Sequence, residues 1–134
     1  MPRKLGTIIA TRELRDAGSD RTLEVQIGSP RRSGRVWECP FRIKGLGRVQ
    51  VACGVDALQA LLMAVEGIRV EIASSGKELS FLEEGDGGVP RYVPGWYGPT
   101  LSQRIGSLID RELRKFERGI AGKRASKRPS RPAR

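Results

Sequence analysis

The sequence predicts an α+β domain: a four-stranded antiparallel sheet made of two hairpins, a central helix on one face, a second amphipathic helix and a disordered basic C-terminal tail. Three observations carry this. Residues 22–27 and 37–53 alternate apolar and polar side chains with the period of half-buried strands. Residues 57–73 and 100–118 carry apolar side chains at helical spacing. Residues 119–134, GIAGKRASKRPSRPAR, are rich in Gly, Pro and cations and offer almost nothing to bury. The expected division is one domain over 1–118 and a tail over 119–134.

In chain order, LGTIIATREL at 5–14 is β-prone, but adjacent Ile8 and Ile9 leave its buried face open. RDAGSD at 15–20 is turn chemistry. In TLEVQI at 22–27, Leu23, Val25 and Ile27 share one face. The two strands form a first hairpin, which GSPRRSG at 28–34 ends.

The second hairpin is best described by a three-residue loop, Gly45-Leu46-Gly47, with a Gly available for the left-handed position. That register sets Ile43 opposite Val49, Phe41 opposite Val51 and Cys39 opposite Cys53, with Trp37 on the same face. It makes the two cysteines buried neighbours. Pro40 has no N–H for the ladder and predicts an edge or a bulge.

Asp56, three residues before Gln59, matches a capping box: the carboxylate accepts from a first-turn amide while Gln59 reaches back to the cap. At 100° per residue, Ala57, Leu58, Leu61, Leu62, Ala64, Val65, Ile68 and Ile72 gather on one arc. Ala60, Met63, Gly67 and Val70 opposite are only weakly polar, which predicts a helix covered on two sides. KELSFLEE at 77–84 reads as a short strand, and GDGGVPRYVPGWYGP at 85–99 as irregular chain. Thr100 and Gln103 form a second capping box. The helix they start has the apolar arc Leu101, Ile105, Leu108, Ile109, Leu113 and Phe116, interrupted by Glu112, and ends before Gly119.

The charge of +10 is unevenly placed. Seven of the 25 basic residues lie between Arg118 and Arg134, where there is no acid, so residues 1–117 carry 18 basic against 15 acidic residues. The high charge therefore describes a tail and not a nucleic-acid-binding globular domain. Two cysteines are too few for a disulfide scaffold, no signal-peptide core is present, and no stretch supplies the roughly 20 apolar residues of a membrane span. The expected compartment is the cytoplasm, with no membrane partner.

The Cys-containing strand WECPFRIKG followed by G-V-D-x-x-Q-A-L resembles a family of small bacterial proteins catalogued only as a domain of unknown function. The resemblance is carried by Gly28 and Pro30, by Cys39 through Gly45, and by Gly54, Val55, Asp56, Gln59, Ala60 and Leu61. It covers roughly residues 5–75. It implies antiparallel strands followed by a helix in a bacterial cytoplasm, and it brings no reaction and no catalytic residues.

Histidine is absent, which removes the commonest general base and metal ligand. Glycine-rich phosphate loops and a CxxC pair are absent as well. No catalytic residue, metal ligand or cofactor is assigned, and Asp56 reads as a cap. The expectation is a small binding or accessory protein. In the first reading, Arg104, Arg111, Lys115 and Arg118 along the helix, with Lys123, Arg124, Lys127, Arg128, Arg131 and Arg134 of the tail, contact phosphates of nucleic acid without sequence preference. In the alternative, a protein partner is bound through Tyr92, Trp96 and Tyr97 or through the second helix. An unusual enzyme built on Asp, Glu, Lys or Tyr is the third reading.

Overall fold

A computed structural model describes residues 2–82 and 87–126, with side chains to residue 124. The chain divides between Tyr92 and Val93 into two compact units. The first contains strands β1 (Ile8–Asp16), β2 (Arg21–Gly28), β3 (Arg31–Ser33), β4 (Val36–Lys44), β5 (Gln50–Gly54) and β6 (Leu79–Ser80), and helix α1 (Ala57–Ser74). The second contains a 3-10 turn, Gly95–Tyr97, and helix α2 (Pro99–Ser126).

The sheet is antiparallel but six-stranded, ordered β3-β4-β2-β1-β6 with β5 on β4, where four strands were expected. One addition comes from the segment read as a breaker. Phe41 pairs with both Ile27 of β2 and Gln50 of β5, while Trp37 pairs with both Arg32 of β3 and Gly54 of β5. Strands β2 and β3 therefore share one edge of β4, separated by Ser29 and Pro30, and β5 holds the other. Pro40 of β4 stands opposite that break, where a ladder donor is least needed. The other addition, β6, keeps only two residues of the expected strand at 77–84 and pairs with Arg15 and Asp16; residues 83–84 lie outside those described.

The second hairpin differs by one residue from the expected register. Cys39 faces Ala52, and Cys53 faces Glu38, because the connection spans 45–49 instead of 45–47. The physical reason is the close approach of α1. A Cβ on Gly54 would lie 2.3 Å from the amide nitrogen of Ala60. Only small residues fit on the β5 face beneath the helix, so Ala52 and Gly54 turn inward and Cys53 turns to solvent.

Leu23, Val25 and Ile27 of β2 pack with Leu14 of β1, with Cys39, Phe41 and Ile43 of β4, and with Ala60, Ala64, Ile68 and Ile72 of α1. The buried stripe of α1 thus includes Ala60, which the projection placed on the far side, together with Ala64. Leu58 and Val70 are 64% and 50% exposed, so the helix is covered on one face and not on two. Small side chains win the sheet-facing position because they let helix and sheet backbones approach. In β1, a bulge between Ile8 and Ala10 accounts for the adjacent isoleucines, both of which are exposed.

Helix α2 begins one residue earlier and ends later than the pattern indicated. Pro99 starts it, with its fixed φ and missing N–H suited to a first helical position. Gly98 precedes it and its carbonyl accepts from Ser102 N at 3.2 Å. Thr100 therefore sits inside the first turn and is not the cap of a Thr100–Gln103 box. The helix crosses Gly119 and continues to Ser126, so the expected boundary at 118/119 falls inside it and residues 119–126 are helical. Ala, Lys and Arg beyond Gly119 are strong helix formers that offset a glycine cost of about 1 kcal/mol. Residues 127–134 of the expected disordered tail lie outside those described.

Candidate functional site

Asp56 lies two residues beyond β5 and caps the start of α1. Its Oδ1 accepts from Gln59 N at 2.8 Å, and Gln59 Oε1 accepts in turn from Val55 N at 2.7 Å, one residue beyond the amide expected. Two amides of the helix start are thereby satisfied, which is the work of a cap. The two cysteines are not neighbours in function. Cys39 Sγ donates to the Gly28 carbonyl at 3.5 Å, and burial pushes its thiol up to about 11. Cys53 is exposed on the other face of the sheet. A redox pair across the strands is excluded by this arrangement.

Arg12, which the sequence did not single out, secures the segment after residue 86. Its Nη1 donates to the Gly87 and Gly88 carbonyls at 3.2 and 2.8 Å, and its guanidinium lies 3.9 Å from the centroid of the Phe81 ring. Val89 is buried, and Tyr92 N donates to Glu66 Oε2 at 3.0 Å. Glu66 also accepts from Arg69 at both oxygens, and these donors hold its carboxyl below the ordinary glutamate range. An apolar cavity of about 220 Å³ remains between Ala10 and Arg12 of β1, Val25 and Ile27 of β2, Val65 and Ile68 of α1, and Val89. These contacts join residues more than twenty-five positions apart in the chain. No local pattern announces them.

The aromatic trio divides. Tyr92 is half-buried at the end of the first unit, whereas Trp96 and Tyr97 belong to the second and are 63% and 60% exposed. Their ring centroids are 6.1 Å apart with planes inclined at 37°.

Helix α2 carries the charged stripe. Arg104, Arg111 and Arg118 recur every seventh residue and Lys115 lies beside them, so four cations share one side. Arg104 and Arg111 line a shallow hollow with Thr100, Gln103, Ser107 and Leu108. Lys123 and Arg124 continue in the last turns. Lys127, Arg128, Arg131 and Arg134 lie outside the described residues. Alongside the stripe runs an apolar arc in which Leu101, Leu108, Ile109, Leu113, Phe116 and Ile120 are all exposed, between 38% and 68%, while Ile105 is half-buried. Glu112, the acid within the arc, accepts from Lys115 Nζ at 3.1 Å, one turn on along the same helix.

Among the described residues no group of three His, Cys, Asp or Glu side chains is placed to hold a metal ion, and no helix is long and apolar enough to cross a membrane. Compared with known proteins, residues 10–91 match the family described as "Domain of unknown function (DUF6968)". No curated protein and no solved structure matches the chain.

Proposed function

We propose that this chain, which belongs to the DUF6968 family, is a non-enzymatic accessory protein whose working surface is α2, used as a docking helix. The observation that carries the proposal is the exposure of the apolar arc from Leu101 to Ile120. A helix with seven aliphatic or aromatic side chains along one side gains by covering them, at roughly 25 cal/mol per Å². Three exposed helical glycines, Gly106, Gly119 and Gly122, weaken it further in isolation. The family match ends at residue 91, beside the division at Tyr92/Val93, so α2 lies outside the matched domain. Within that domain, the groups of chemical interest serve the fold: Asp56 caps α1 and Cys39 lies in the core.

The setting we propose is the bacterial cytoplasm. Two free thiols, one of them exposed, suit a reducing compartment. A second reading, contact with the phosphates of nucleic acid, is favoured by the seven-residue spacing of Arg104, Arg111 and Arg118 and by the continuation of cations to Lys123 and Arg124. The two are separated by an affinity capture with full-length protein after nuclease treatment, comparing the parent with Leu113→Glu/Phe116→Glu. Docking through the arc requires capture, of protein or of lipid, that survives nuclease and is lost in the variant. Capture that nuclease abolishes and the variant retains would place the function in the cations alone.

A further inference from the structure

We infer that the surface on which α2 docks is an anionic lipid bilayer, with the helix lying in the plane of the interface, its apolar arc below the headgroups and its arginines at the level of the phosphates. The inference rests on the docking reading and names the partner. At 100° per residue, the arc from Leu108 through Leu101, Ile105, Phe116, Ile109 and Ile120 to Leu113 spans roughly 140°. Arg104, Arg111, Lys115 and Arg118 follow directly on one flank, while Arg124, Glu117 and Asp110 follow one another on the other. A purely cationic flank beside an apolar face complements a surface that is apolar within and negatively charged at its rim.

The charge balance agrees. Residues 99–126 carry seven cations, Arg104, Arg111, Arg114, Lys115, Arg118, Lys123 and Arg124, against three acids, and residues 127–134 add four cations and no acid. The acid inside the arc, Glu112, already has a cation beside it in Lys115. Immediately ahead of the helix stand Trp96 and Tyr97, exposed side chains with apolar bodies and polar tips of the kind that settle at headgroup depth. A duplex would use the cations and leave the arc uncovered. The absence of a spanning helix among the described residues concerns insertion across a bilayer and leaves adsorption on it open.

The test uses full-length protein and vesicles of equal parts phosphatidylglycerol and phosphatidylcholine, with pure phosphatidylcholine vesicles and a duplex DNA in parallel, at physiological ionic strength. Co-sedimentation is expected with the anionic vesicles only. In a Trp37→Phe background, the emission of Trp96 should shift to the blue on binding. Leu113→Glu/Phe116→Glu should lower co-sedimentation to background. Arg104→Gln/Arg111→Gln/Arg118→Gln should weaken it on the order of 100-fold, at roughly fivefold per cation. Equal binding to both vesicle types, or binding to DNA alone, overturns the inference. Vesicles left unbound while Leu113→Glu/Phe116→Glu still abolishes nuclease-resistant protein capture would remove the bilayer and keep the docking helix. Loss of neither activity in that variant would remove both.

Discussion

The ring of Phe41 occupies the space that a side chain on Gly67 would need: a Cβ there would lie 2.6 Å from Phe41 Cζ. The central strand β4 and α1 meet at this point, and both are in the core. Gly67→Val should therefore destabilise the protein by about 1–3 kcal/mol despite the better helix propensity of valine over glycine, because the buried ring has little room to retreat. Phe41→Leu in the same molecule should recover part of the loss. A double-mutant cycle by denaturant unfolding measures it, and strict additivity would show that the contact does not limit packing.

At the start of α1, Asp56→Ala should cost about 0.5–2 kcal/mol, whereas Asp56→Asn should cost little, since asparagine also caps. Thermal unfolding of the two variants decides it. An Asn variant as unstable as the Ala variant would mean that the charge, and not the hydrogen bond to Gln59 N, is what α1 needs.

The thiols should react with a thiol reagent in two steps. Cys53 is exposed and should react with a thiol reagent in native protein, while Cys39, buried and raised to about 11, should react only on unfolding. One thiol per chain before denaturant and two after is the expected count from absorbance. Two fast thiols in the native state would contradict the observed register of β4 and β5.

Two carboxylates should give stability opposite pH dependences. Asp16 accepts from Ser19 Oγ and Gly18 N with Lys77 nearby, and these contacts hold its carboxyl below the ordinary range. Its contribution is full above the unfolded value and is lost as pH falls through the folded one. Glu71 is raised by burial, so its contribution is full below the unfolded glutamate value and is lost as pH rises through the folded one. Melting curves should show Asp16→Asn flattening the acid limb. Glu71→Gln should raise the melting temperature at neutral pH and leave it unchanged in acid. A lowered melting temperature for Glu71→Gln at neutral pH would show that the hydrogen bond from Gln50 outweighs the burial cost.

Local chemistry alone determined much of this chain: the alternation of Leu23, Val25 and Ile27, the turn at 17–20, the start of α1 at Asp56 and the amphipathic sides of α2 all follow from neighbours within one or two turns. The resemblance to a family catalogued only as a domain of unknown function agrees with the match over residues 10–91. What tertiary structure decided depends on segments far apart in sequence. Ala52 and not Cys53 faces the core because α1 presses close at Gly54, a steric demand that no hairpin rule contains. Arg31–Ser33 became a strand because β4 extends past the end of β2 and offers free backbone groups there. Arg12 acquired its role from carbonyls seventy-five and seventy-six residues away. Periodicity shows which side of an element is apolar, but only packing shows what covers it; for α1 that was the sheet, and along α2 most of the apolar arc remains exposed.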